Sequence, residues 1–156
     1  MKLSSVFTRG VVTAPPTAPL GAVAALMFQH NVGAVVIEED RRPVGIVTDR
    51  DLAEALGFNG QPIETPAQKV MTRHVLAIPE DTDVFAATQY MRKRQVRRLP
   101  VVDAADHLVG IVTLDDLLGL LGREFANLAE SIHDEVRVRE PSLPRTGEPH
   151  DLRSAR

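Results

Sequence analysis

Two four-residue stretches carry the chemistry this chain offers. Thr48-Asp49-Arg50-Asp51 and Thr113-Leu114-Asp115-Asp116 each set a hydroxyl three residues ahead of a carboxylate, directly after an apolar Gly-Ile-Val run. An ionised aspartate only accepts hydrogen bonds, so Asp51 and Asp116 could each hold the paired hydroxyls of a ribose, while Thr48 and Thr113 could donate to a phosphate. A strand running into a helix start also aims free amides at a cleft, and these suit an anion. The same residues equally make a helix cap, in which the threonine oxygen accepts a free amide and the acid answers in return. Both readings stay open for one copy of the motif.

Other chemistry is excluded by what is missing. There is no cysteine, which removes thiolate catalysis, disulfides and Cys-ligated zinc. No Gly-rich phosphate loop and no HExxH pair occurs. The five histidines are scattered, and the Glu130–His133 spacing has no second pair to complete a metal site. The acid pairs Asp49/Asp51 and Asp115/Asp116 lack the apolar surroundings that raise a general acid's pKa, so no enzyme, no catalytic residue and no metal site is expected.

The elements that must position these residues are repeated. Gly45-Ile46-Val47-Thr48 returns as Gly110-Ile111-Val112-Thr113, with Asp51/Asp116 and Leu52/Leu117 in step. Upstream, "VFTRGVVTAP" from Val6 lies against "VMTRHVLAIP" from Val70 with the offset shortened by one, which places an inserted residue at Arg97-Arg98 opposite Gly33. Two copies, about residues 5–58 and 69–133, are joined by a linker at 59–68; the proline-rich stretch 138–156 reads as a disordered tail. Each copy begins with a short β-prone piece, Val11-Val12 or Val75-Leu76. A helix with apolar residues at i, i+3, i+4 and i+7 follows, from Leu20 or from Val84. Two apolar strands come next, Ala34–Ile37 with Val44–Val47 and Leu99–Val102 with Leu108–Val112, and then a second helix after Thr48 or Thr113. The expected fold is α/β: two β-α-β-β-α repeats related by a pseudo-twofold axis, with Gly45 and Gly110 easing the turn into a buried strand.

"GIVTDRDL", "GIVTLDDL", "RRLPVVD" (Arg97–Asp103) and "VMTRHVLAIPED" (Val70–Asp81) together resemble a tandem pair of CBS domains, a Bateman module, over about residues 5–133. The resemblance implies clefts between the halves that take adenosine-containing ligands: AMP, ADP, ATP or S-adenosylmethionine. It implies ribose contacts from Asp51 and Asp116 and phosphate contacts from Thr48 and Thr113. It also implies adenine against Thr13, Ala14, Ala77 and Ile78, and phosphate contacts from Arg97 and Arg98. The cleft holding Thr113, Asp116 and the arginine pair ranks above the one at Asp51, because Gly33 brings no cation.

Composition agrees with a module of this kind. A net charge of −3 and 4% aromatics offer no nucleic-acid face. No apolar run is long enough to span a bilayer and no signal peptide is read, so a cytoplasmic protein is expected. Leu114, Leu117, Leu118, Leu121, Phe125, Leu128 and Ile132 recur at i+3/i+4 spacing along a helix far longer than its counterpart after Thr48. That face predicts a homodimer through the helices after Thr48 and Thr113, as the resemblance also implies. The expectation is a non-catalytic regulatory or energy-sensing module with no obligatory cofactor, signalling through dimer conformation to an unidentified effector protein. The competing expectation is a ligand-free interaction or scaffold module.

Overall fold

The computed structural model describes residues 1–73 and 75–139, with side chains as far as Ile132. Residues 1–120 form one compact unit; the remainder of the last helix, from Leu121, belongs to a second. Within the first, β1 (Thr13–Ala14), α1 (Leu20–His30), β2 (Ala34–Glu39), β3 (Arg42–Thr48) and α2 (Asp49–Leu52, continued by a wider π-type turn, Ala53–Phe58) make the first repeat. A short strand β4 (Thr72–Arg73) follows, and β5 (Ile78–Pro79), α3 (Val84–Arg94), β6 (Arg98–Val102), β7 (Leu108–Thr113) and α4 (Leu114–Arg139) make the second. β1 begins two residues after Val11, and β5 three residues after Val75. Residues 140–156 of the expected tail, like His74, lie outside the described residues.

Each repeat closes a sheet of the same topology. β1 runs parallel to β2, which pairs antiparallel with β3; β5, β6 and β7 repeat this. Each sheet has its own core, one holding Leu20, Val23, Val35 and Val47, the other Val84, Leu99, Val101 and Val112. The central strands are buried on both faces, which is why they read as continuous apolar runs. α1 and α3 end alike, on Asn31 and Gln95 in left-handed conformation.

The register moves the expected insertion. Ala34 pairs with Thr48 and Ile37 with Gly45, whereas Arg98 pairs with Thr113 and Val101 with Gly110. Gly33 therefore corresponds to Arg97 and Ala34 to Arg98. The extra residue lies in the β6–β7 hairpin and not at the arginine pair. β-Strands rich in valine match themselves at two adjacent offsets, and only the pairing decides between them.

The repeats also exchange their leading segments. Leu3 and Phe7 are buried in the second repeat's core, and Thr8 forms an antiparallel bridge with Ile111 on β7. Reciprocally, Ala67, Val70 and Met71 pack on the first core, and β4 adds to β3 through Thr72 and Ile46. The two segments do equivalent work at the helix starts: the Thr65 carbonyl accepts from Leu20 N–H at 2.9 Å, and the Met1 carbonyl accepts from Val84 N–H at 2.9 Å. Gly45 and Gly110 acquire their reason here. A Cβ on Gly45 would overlap the Met71 side chain, and one on Gly110 would overlap the Phe7 ring. These glycines admit the incoming segment and do not serve a turn.

Candidate functional site: a cleft beside Thr113

Both Thr-x-x-Asp motifs close as capping boxes. Asp51 Oδ2 accepts from the Thr48 N–H at 2.7 Å and from its hydroxyl at 2.8 Å, while Thr48 Oγ1 accepts from Asp51 N–H at 3.2 Å. Asp116 and Thr113 repeat the three bonds at 2.8, 2.7 and 3.1 Å. Each threonine proton is thus committed to its aspartate. One oxygen of each aspartate, Oδ1, is left with two lone pairs, enough to accept from two hydroxyls.

The two helix starts differ in one amide. At α2, Asp49 N–H donates to the Gly33 carbonyl, Arg50 N–H to Asp49 Oδ1 and Asp51 N–H to Thr48, so this end is satisfied by protein. At α4, Leu114 N–H donates to the Arg97 carbonyl and Asp116 N–H to Thr113. Leu114 has no oxygen to offer where Asp49 has one, so the Asp115 N–H lacks that partner at the positive end of a long helix.

Beside this end lies a cavity of about 230 Å³. The leading segment lines it with Thr8, Gly10, Val11 and Val12, the start of β2 with Val32, Gly33 and Ala34, and the second repeat with Arg98, Ile111, Thr113 and Asp115. Residues from both repeats therefore meet in one pocket that is apolar along Val11, Val12 and Ile111 and polar at Arg98, Thr113 and Asp115. Arg98 reaches across from β6: its Nη2 stands 3.0 Å from where a Cβ on Gly33 would lie, with Asp49 Oδ2 3.3 Å from the same point.

The other residues singled out from the sequence are spread more widely. Thr48 caps α2, and Asp51 opens onto a separate, mostly polar pocket with Glu54, Asn59, Gln61 and Lys69. Arg97 is exposed and is absent from the lining of the Thr113 cavity. Ala14 and Ile78 are buried in the two cores, Thr13 is half-buried on β1, and Ala77 lines a third pocket with Arg42, Pro43 and Asp106. The wall of the Thr113 cavity comes instead from Val11 and Val12, immediately upstream. Among the described residues no cluster of His, Cys, Asp or Glu is arranged to hold a metal, and no helix is long and apolar enough to cross a membrane.

The CBS domain model matches the chain twice, over residues 3–57 and 67–123. The CBS domain-containing protein YhcV of Bacillus subtilis is 39% identical over 110 residues, which are 70% of this chain and 78% of that one. The curated relatives at 36–39% identity are spanned over 61–78% of their own lengths. Among solved structures, the CBS domain pair of protein MJ0100, in complex with 5′-methylthioadenosine and S-adenosyl-L-methionine, superposes with a TM-score of 0.72 at 29% identity; 80% of this chain and 98% of that one are covered. The CBS domain protein PAE2072 from Pyrobaculum aerophilum, complexed with AMP, gives 0.70 at 26% identity, with 74% and 89% covered. The chain belongs to the CBS domain family and carries the domain as a tandem pair.

Proposed function

We propose that the chain is a non-catalytic regulatory module that binds an adenosine-containing ligand in the Thr113 cleft and passes its occupancy on through a homodimer. The observation that carries this reading is the meeting of Arg98 and Thr113, register partners on β6 and β7, with Val11 and Val12 of the other repeat in one cavity. In this reading the adenine lies against Val11, Val12 and Ile111, and Asp116, which is off the cavity lining but bonded to Thr113 at its edge, accepts from the ribose through Oδ1. The phosphate takes the Arg98 guanidinium and the Asp115 N–H, since the Thr113 hydroxyl already donates to Asp116. A cavity this size is smaller than most sites for drug-sized ligands, about 300–1,000 Å³, so the phosphate would stand at its mouth. AMP in PAE2072 and S-adenosyl-L-methionine in MJ0100 support the ligand class. Thr48 and Asp51 form the pseudo-symmetric counterpart, and Ala14 and Ile78 act through the core. A cytoplasmic location fits a ligand of this class, and an effector protein would read the change.

A melting panel with AMP, ADP, ATP and S-adenosylmethionine tests the reading. A ligand at a hundred times its Kd adds about 2.7 kcal/mol, which raises the Tm of a chain this long by roughly 5–10 °C. No shift at millimolar concentration from any of the four would favour the scaffold reading in its place.

A further inference from the structure

Resting on the reading above, we infer that each chain takes one adenosyl ligand, in the Thr113 cleft, because Arg97 and Arg98 make the two pseudo-symmetric clefts unequal. The backbones of the clefts are equivalent. Ala34 pairs with Thr48 as Arg98 pairs with Thr113, and the Gly33 carbonyl accepts from Asp49 N–H as the Arg97 carbonyl accepts from Leu114 N–H. Their side chains are not. The Thr113 cleft is lined by Gly33 and Ala34, and its space depends on the side chain Gly33 lacks. At the corresponding positions beside Thr48 the chain has Arg97 and Arg98, with Leu76 in place of Val12. The exchanges of Gly33 for Arg97 and of Val12 for Leu76 add bulk, whereas Ala34 stands on that side where the open cleft has Arg98.

Charge points the same way. Arg98 has only Ala34 as its counterpart, so the pair of clefts shares one guanidinium at this position. That guanidinium lies over Gly33, on the Thr113 side. The Thr48 side has Ala34 at this position, and its helix start offers no open amide at Arg50, because Asp49 Oδ1 accepts from it where the Asp115 N–H has no such partner.

Titration calorimetry on the full chain, with AMP and S-adenosylmethionine as probes, reads the count. The expected result is one ligand per chain, and two per chain overturns the inference while leaving the ligand class intact. Gly33→Val fills the open cleft at a residue whose φ is ordinary, and it is expected to abolish binding; one ligand per chain remaining in that variant overturns the inference. Should Gly33→Val not fold, the variant Arg97→Gly decides. It gives the Thr48 side the glycine of the open cleft and is expected to raise the count to two, whereas an unchanged count of one rejects Arg97 as the cause. Binding of neither probe to the unaltered chain rejects the adenosyl reading itself, and this inference with it.

Discussion

The Phe7 ring lies against the α-carbon of Gly110, as the Met71 side chain lies against that of Gly45. These two contacts hold the exchanged segments in place, and they are not equally tolerant. A methyl on Gly110 would strike a planar ring and stand 3.0 Å from the Thr8 carbonyl oxygen, whereas one on Gly45 meets a flexible thioether. Gly110→Ala is therefore expected to cost about 2–3 kcal/mol, near the top of the overpacking range, and Gly45→Ala about 1 kcal/mol. Phe7→Ala alone should cost about 3–4 kcal/mol through the cavity it leaves. The double variant Phe7→Ala/Gly110→Ala should fall short of the sum by about 1–2 kcal/mol, because removal of the ring relieves the clash. Denaturant titration of the four proteins checks this, and simple additivity would contradict the contact.

The capping boxes separate structure from binding. Asp51→Ala and Asp116→Ala remove the same two side-chain hydrogen bonds from equivalent helix starts, so each should lower ligand-free stability by a similar amount, about 1 kcal/mol. If Asp116 holds the ribose, its substitution should also remove most of the melting shift produced by AMP, with a smaller loss for Asp51→Ala. Equal loss in both variants would argue against a single working cleft.

Much of this was legible in the sequence, and the parts that were not have identifiable causes. The repeated Gly-Ile-Val-Thr phrase announces the two repeats because both copies end a strand that is buried on both faces and begin a capped helix. The exchange of residues 1–8 with 65–73 leaves no such trace: Leu3 and Phe7 are ordinary apolar residues, and nothing local tells which core receives them. The role of Gly110 follows from that exchange and stays hidden with it. The Thr113 cavity is lined by Val11 and Val12, two residues before Thr13 and Ala14: the proline after these marks the strand, while the cavity opens before the strand begins. The difference between Asp49 and Leu114 is plain in the sequence, but its effect on a neighbouring amide appears only once both helix starts are built.

Acid should weaken the second hairpin. Asp103 accepts from the His107 N–H at 2.9 Å and the Ala105 N–H at 2.8 Å, and these bonds, the His107 one foremost, hold its carboxyl below the usual carboxylate value against a smaller opposing effect of desolvation. A folded-state pKa below the unfolded one gives stability that is complete above the ordinary range, near 3.9, and is lost as pH falls through the lowered value. Melting temperature should therefore drop more steeply below pH 4 in the unaltered protein than in Asp103→Asn, which cannot titrate there. Parallel acid profiles for the two would remove Asp103 from the account.

The outer part of α4 carries the last prediction. Leu118, Leu121, Phe125, Leu128 and Ile132 alternate spacings of three and four, an average of 3.5, which keeps an apolar seam facing one supercoiled helical partner. Phe125, Leu128 and Ile132 are 69%, 60% and 65% exposed, too much for a helix that needs no cover. Gly122 and Ala129, beside the seam, are small enough to let a second helix approach, and nothing stands within 4 Å of a Cβ on Gly122. A second copy of α4 has the matching pattern by construction, so light scattering on the full chain at micromolar concentration should give a dimer. Phe125→Asp, which sets a charge at the middle of the seam and leaves both cores untouched, should give a folded monomer with nearly unchanged melting of residues 1–120. A monomeric unaltered chain, or a Phe125→Asp variant that stays dimeric, would show that this seam is not what joins two copies.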